Sequence, residues 1–408
     1  VGDLPDGKAG VPILEGEPAP IDAFVARFQI EPGADGPLQG TCFAAKDSFD
    51  VAGWPTGCGN PDWLATHTAP RRHAASVERL LQAGARLVGK TCMDELAYSL
   101  EGRNFHSGAP RNPAAPRRLT GGSSCGAASA VAGGEIDVGL ASDTAGSVRV
   151  PAAWCGLVGM RPTHGRVPDP GLAPLAPSFD TVGWMTRSVA LARTVGSVLL
   201  RGAVPPRQPV CLLRDPEVES LAVDVDSAAL RHGFERCAAQ GLPVEETTLG
   251  IDPAAGADAL RILQGHEVWG TLGAWIESVN PSLGPAVAER VRVARSITQN
   301  DVRAAAHGRT ALLARLDAAL PPGRILCLPT VPGPAPRRDA TAPELQALRA
   351  RLFPLTALAS LSGRPQITLP GLQAQDAPAG WSLLGWRGGD EALMDTAERL
   401  SDVWVMSS

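Results

Sequence analysis

Residues 121–156 read GGSSCGAASAVAGGEIDVGLASDTAGSVRVPAAWCG, a run dominated by small side chains with two serines, Ser123 and Ser147, set in glycine-rich turns. A backbone can approach another group closely only where side chains are small, so this stretch constrains the fold more than any other. The same property points to chemistry. A serine hydroxyl attacks a carbonyl once a base takes its proton, and backbone amides must hold the oxyanion that forms. Thr144, Ala145, Gly146 and Ser147 can turn successive amides toward one point, because Gly146 and Ala145 present little bulk. The stretch therefore reads as a serine nucleophile with its oxyanion hole in residues 144–147.

The chain reads GGSSCG at 121–126, DTAGS at 143–147 and RVPA at 149–152. In these segments it resembles the amidase signature family, whose hallmark is a GGSSGG turn followed by a DTGGS turn and an RxPA segment. The likeness runs from about Leu38 to about Arg187 and continues more weakly through ILCLPTVPGPAP, RPQITLPG and SLLGWRGGDEAL. Cys125 and Ala145 each stand where the pattern has glycine, adding bulk beside the turns. The resemblance implies a Ser, cis-Ser, Lys triad that cleaves a carboxamide through an acyl-enzyme. It assigns Ser147 as nucleophile, Ser123 as proton relay behind a cis Gly122–Ser123 peptide, and a lysine as base. Composition makes the lysine easy to place. Of 37 lysines and arginines, Lys8, Lys46 and Lys90 are the lysines, and arginine does not give up its proton. Lys8 lies in a polar, Gly- and Pro-rich stretch. Lys46 sits in GTCFAAKDSFDVAG, where an apolar run can bury the amine and lower its pKa toward that of a usable base, and it matches the family's lysine. Lys90, in VGKTCMDELAYS, falls in a segment that resembles the acyl-pocket lining, with no proton-transfer role there. Ser124 is expected to hydrogen-bond and orient Lys46, and Asp143 with Arg149 to form an ion pair holding the nucleophile turn.

Other patterns are weighed on local structure. Gly84 to Thr91 reads GARLVGKT, a literal P-loop match, but a P-loop has its strand before the first glycine. Here Val77, Leu80 and Leu81 recur at helical spacing, Gly84 reads as a C-cap, and Arg86–Val88 as a strand after it. GSSCG at 122–126 fits G-x-S-x-G with Ser124 as nucleophile, yet the preceding PRNPAAPRRLTG has no strand character. Cys125 is a rival nucleophile with no adjacent histidine. The seven histidines show no metal spacing, so no metal and no cofactor is expected. A Ser-His-Asp arrangement stays open, since its members can come from anywhere in a chain. The eight cysteines form no CxxC pair and read as reduced thiols.

At 408 residues and 44% hydrophobic, with helical runs alternating with short apolar strands, the chain is expected to be α/β. The expectation is one large domain, 1–408, with a mixed central β-sheet covered by helices on both faces. Length alone suggests two or three domains, but no linker divides the chain. The signature core spans about 38–187, variable substrate-side helices about 210–320, and C-terminal strands and helix about 324–408, with a surface connection at 203–208. Helices are expected near 226–240, 256–278 and 301–320, and strands at Ile325–Leu328, Ile367–Leu369 and Ser382–Leu384. A net charge of −5 argues against a nucleic-acid partner. No apolar run reaches the ~20 residues of a membrane span, and VGDLPDGKAG lacks a signal-peptide core. The expected setting is the cytoplasm, with a small-molecule amide as partner, no membrane partner, and a homodimer left open.

GNPDWLATHTAP, MDELAYSLEG, PRNPAAPRR and SFDTVGW resemble the short amidases of the indole-3-acetamide hydrolase type. That implies an aryl or arylacetyl amide, with Tyr98, Ser99, Gly122, Cys125, Ser178 and Phe179 at the substrate. Trp54, Trp63, Trp154 and Trp184 suit either a flat apolar pocket or the core, the core being favoured for Trp154. One alternative is hydrolysis of a bulkier N-acyl compound, such as an acyl sulfamate or acyl hydrazide. Another is the role of an A-type subunit in an amidotransferase. The further class of a silent binding protein has the presence of Lys46, Ser123 and Ser147 against it.

Overall fold

The computed structural model describes residues 19–202, 209–225 and 227–401. Lys8 and the connection at 203–208 lie outside these. Short apolar runs form the strands β1 (Phe24–Ile30), β2 (Cys42–Lys46), β3 (Arg86–Thr91), β4 (Val138–Asp143), β5 (Val158–Arg161) and β6 (Thr181–Thr186). The chain continues with β7 (Cys211–Arg214), β8 (Val244–Glu246), β9 (Arg324–Pro329), β10 (Gln366–Leu369), the short pair β11 (Gln373–Ala374) and β12 (Ala377–Pro378), and β13 (Trp381–Leu384). Apart from β11 and β12 they join one sheet in the order β1-β3-β2-β4-β6-β5-β10-β13-β9-β7-β8. The sheet is mixed: β2 runs parallel to β3 and β4, and β7 to β8 and β9, while β6, β5, β10 and β13 pair antiparallel across the middle. The three expected C-terminal strands fall inside β9, β10 and β13.

Helices Ser227–Ala239, Pro253–Val279 and Gln299–Ala319 fall at the three expected stretches. Two further helices, Pro285–Ser296 and Ala342–Ser362, lie outside those expectations. The second carries Pro354 in its interior, and a proline there removes a helical N–H and normally ends the element. Burial of Leu352, Phe353, Leu355, Leu358 and Leu361 offsets that loss. No helix among the described residues is long and apolar enough to cross a membrane.

Local order also decides the two rival motifs. Helix Ala75–Gln82 ends ahead of Gly84, which has φ of +94°, and β3 follows it, so the strand lies on the wrong side of Gly84 for a P-loop. Ahead of Gly122 there is no strand, only isolated bridges at Pro110 and Arg118.

Successive residues of β6 face opposite sides of the sheet, and they show how each side is covered. On the side of Trp184, helix Val189–Leu199 packs, its Ala192 carbonyl accepting from Trp184 Nε1 at 2.9 Å. On the side of Gly183 lie the small-residue helices Cys125–Ala132 and Arg149–Trp154. A Cβ on Gly139 of β4 would sit 3.1 Å from Ala127, and one on Gly159 of β5 would sit 2.5 Å from Ala152. These helices therefore rest directly on strand backbone, and that closeness fixes Ser123 ahead of the first and Ser147 ahead of the second. Gly159→Val should consequently destabilise the protein by about 1–3 kcal/mol through overpacking. Urea unfolding should show a lower midpoint at unchanged slope; an unchanged midpoint would mean that the Arg149–Trp154 helix is free to retreat.

Candidate active site

Parallel strands present their C-terminal ends at the same sheet edge, and β2 and β4 are parallel neighbours. β2 ends in Lys46 and β4 in Ser142 and Asp143. Lys46 Nζ lies 2.7 Å from Ser123 Oγ and 3.0 Å from Ser142 Oγ, and the side chain is fully buried. Burial pushes its pKa down to about 8, against the opposing pull of Asp94 and weaker neighbours. Ser123 follows a cis peptide from Gly122. Its carbonyl accepts from the Asp94 amide at 3.0 Å, and the Gly122 amide donates to Leu100 at 2.9 Å. Asp94 lies so close to Gly122 that a Cβ there would overlap its carboxylate, which is why this position has no side chain.

Ser124 does not meet Lys46. Its Oγ donates to the Ser142 carbonyl at 3.4 Å, and Ser142 takes the expected place beside the lysine. Ser124 is the N-cap of helix Cys125–Ala132, where the chain changes direction, so its side chain diverges from that of Ser123. The signal for Ser142 was a hydroxyl ending the apolar strand VGLAS.

Ser147 lies in the turn between β4 and helix Arg149–Trp154 and is buried. Asp143 organises that turn. Its carboxylate accepts from the amides of Gly146 (2.9 Å), Val148 (3.1 Å) and Arg149 (3.3 Å), from Arg149 Nε (3.0 Å) and Nη2 (2.8 Å), and from Arg161 Nη1 (2.8 Å). Burial alone would raise its pKa, but the charges of Arg149 and Arg161 hold it far below the usual carboxylate range. The expected Asp143–Arg149 pair is thus present and extended by Arg161, which sequence spacing did not suggest. Since the Gly146 amide is committed to Asp143, it leaves the expected oxyanion set, in which Thr144, Ala145 and Ser147 remain. Gly146 has φ of +131°, and a Cβ there would lie 3.0 Å from the Thr356 methyl. The Thr144 hydroxyl is fixed by donating to Asp180 at 2.6 Å.

A profile of the Amidase family matches residues 19–222. The chain belongs to that family. It is 37% identical to Amidase 1 of Arabidopsis thaliana across 93% of this chain and 97% of that one. A crystal structure of an amidase has a TM-score of 0.79 to it at 32% identity, over 90% of this chain and 85% of that one. Over 57% of this chain, and 52% of the relative, it is 39% identical to the A-type subunit of the glutamyl-tRNA(Gln) amidotransferase of Halobacterium salinarum. It is accordingly an amidase-signature hydrolase that acts on amide bonds, with the mixed α/β fold that the resemblance implied.

The residues expected at the amidase's substrate are buried apart from Ser178. Tyr98 and Ser99 are buried, with the Tyr98 carbonyl accepting from Arg290 at 2.8 Å and Ser99 Oγ accepting from the Glu101 amide at 3.3 Å. Phe179 lies wholly in the core beneath the Arg309 guanidinium, 5.1 Å from its ring centre, while Ser178 is exposed and donates its amide to Glu267. Cys125 is buried with its sulfur 4.0 Å from that of Cys92 and does not stand free as a nucleophile; the neighbouring thiol and burial raise its pKa well above the ordinary value. All eight cysteines are free thiols. The tryptophans build no common wall: Trp154 and Trp184 are core, Trp54 stacks on Phe28 at 3.9 Å and Trp63 on His67 at 3.8 Å. His106 bonds Glu95 and His164 the Pro177 carbonyl, so neither serves a serine turn.

Replacing the Asp143 carboxylate leaves two buried guanidinium groups without their counter-charge, so Asp143→Asn should cost about 3–5 kcal/mol near neutral pH. A depressed folded pKa contributes stability that is present above the unfolded value near 4 and lost as pH falls through the folded one. The gap between wild type and variant should therefore hold from pH 8 to 5 and narrow below about 4. Urea titrations across that range test it; a gap that widens in acid would contradict the assignment.

Proposed function

We propose that this amidase cleaves a carboxamide through Ser147, Ser123 and Lys46, with an aryl or arylacetyl group on the acyl side. The observation that carries the relay is the buried Lys46 amine 2.7 Å from Ser123 Oγ, in surroundings that lower its pKa to about 8. A neutral amine there accepts the Ser123 proton while donating to Ser142, and Ser123 in turn takes the proton of Ser147 as that oxygen attacks the amide carbon. The amides of Thr144, Ala145 and Ser147 are oriented toward the developing oxyanion by the Asp143-held turn. The proton returns along the relay to the departing amine, leaving an acyl-enzyme. Water then repeats the sequence and releases the acid. The aromatic acyl group is supported by the ring of Tyr98 and, beside the same guanidinium, that of Phe353.

The partial likeness to the A-type component of an amidotransferase favours a second reading, in which the same relay supplies ammonia to a partner. Hydrolysis of a free amide by the purified chain alone separates the two.

Ser147→Ala should abolish turnover and covalent labelling by a fluorophosphonate, read by intact mass. Lys46→Ala and Ser123→Ala should each lose about 10²–10⁴-fold in kcat, with strongly non-additive combination. Full activity in Ser147→Ala would remove Ser147 as nucleophile. The pH profile provides a separate test. Because the base form of Lys46 is the deprotonated one, kcat/KM should climb roughly tenfold per unit through the acid range and level off above about pH 8. A flat rate from pH 5 to 9 would argue against the lysine.

A further inference from the structure

Helix Ala342–Ser362 lies along the nucleophile turn. Its Thr356 carbonyl and Ser360 hydroxyl each accept from Arg149 at 2.9 Å. Arg349 and Phe353 precede Thr356 by seven and three positions, so Arg349, Phe353, Thr356 and Ser360 project from one helix face. Arg349 is about 10 Å along the helix axis from Thr356 at 1.5 Å per residue. Its guanidinium carbon stands over the ring of Phe353 at 4.7 Å and over that of Tyr98 at 6.0 Å. Two aromatic rings thus lie beside the guanidinium, yet its Nη1 is buried and has no hydrogen-bond partner among the described residues.

The charges around Arg349 do not neutralise it. Glu101 is engaged by Arg290 at 2.6 Å, and one oxygen of Asp94 accepts the Gly102 amide at 3.0 Å. Burial raises the Asp94 pKa further, so this carboxyl answers Arg349 weakly. Burial and the nearby Arg290 lower the Arg349 pKa to about 10, which leaves it cationic at neutral pH. An unpaired buried donor is costly, and a guanidinium offers parallel N–H groups to a carboxylate in its own plane.

We propose that Arg349 is the anion-recognising residue of the acyl site, and that the natural substrate is an amide whose acyl group carries a carboxylate beyond an apolar spacer seated against Tyr98 and Phe353. The helical separation between Arg349 and Thr356 sets the length of that spacer at roughly an aryl ring with a short arm. This assignment rests on the amidase reading given above and deepens it from an aryl amide to an anionic one.

The test is the ratio of kcat/KM for the 4-carboxy derivative of phenylacetamide to that for phenylacetamide itself. Wild type should favour the carboxylated amide at least tenfold, and Arg349→Met should bring the ratio close to one, mostly through KM. Arg349→Lys, which keeps the charge and loses the planar fork, should fall between. A wild-type ratio near one, or a ratio unchanged in Arg349→Met, overturns the proposal while leaving the amidase reading standing. Fluorophosphonate labelling of Ser147 verifies that each variant is folded, and if Arg349→Met is not, the Arg349→Lys ratio decides. If wild type hydrolyses neither amide and Ser147 is not labelled, the catalytic reading fails on its own. In that case calorimetric binding of 4-carboxyphenylacetate still judges Arg349: at least tenfold weaker binding in the variant supports it, and equal binding overturns it.

Discussion

The buried carboxylate of Asp143 is the interaction on which the sheet edge depends. One side chain receives three backbone amides of the Ser147 turn and two guanidinium groups, so the turn cannot move without stranding charge in a dry interior. The arginines carry that constraint outward. Arg149 reaches Thr356, Ser360 and Gln366, and Arg161 reaches the carbonyl of Phe179. Segments more than 200 residues apart in sequence are thereby fixed relative to Ser147. The cost of burying the cluster is large, and it is offset because nearly every donor and acceptor in it finds a partner.

Two buried lysines on adjacent strands show how the surroundings decide what an amine can do. In the parallel register of β2 and β3, Ala45 pairs with Lys90 and Lys46 with Thr91, so the two amines belong to the same sheet edge. Lys90 is 2.9 Å from the Asp47 carboxylate and also donates to the Pro55 carbonyl and the Thr56 hydroxyl. A counter-charge and two neutral acceptors hold that amine in place. Lys46 is met by two serine hydroxyls, which can orient an amine without neutralising its charge, so burial dominates and the neutral form comes within reach. Burial alone would not have distinguished them.

Much of this was legible in the sequence where composition is restrictive. With three lysines in the chain the candidate bases were few, the resemblance to the amidase signature pointed to Lys46 in the apolar run CFAAK, and the small-residue stretch located both serine turns. The later strands were readable as apolar runs between turn residues. What escaped was whatever depends on contact between distant segments. Adjacency in sequence points to Ser124 as the companion of Ser123 and Lys46, whereas adjacency in space belongs to Ser142. Arg161 joins Asp143 across 18 residues with no periodicity to announce it. The tryptophans read as a candidate pocket because large aromatic residues suit cores and sites equally, and only packing separates the two. Helix Ala342–Ser362 was hidden by Pro354, a local signal that tertiary burial overrode.

In the proposed mechanism, that last helix ties reactivity to selectivity. One face carries Ser360 and Thr356 against Arg149 and, further toward its N-terminus, Arg349 over the rings of Phe353 and Tyr98. In the proposed binding mode one helix supports both the serine turn and the guanidinium, so the distance between the reacting carbonyl and the far end of an acyl group would follow helical rise and not a loop. Under that proposal a substrate of the wrong length would find neither end free to shift, since the Arg149 contacts hold one and the Tyr98 and Phe353 rings the other. The kink expected at Pro354 falls between the two contact sets, where the Ala350 carbonyl lacks its usual helical donor.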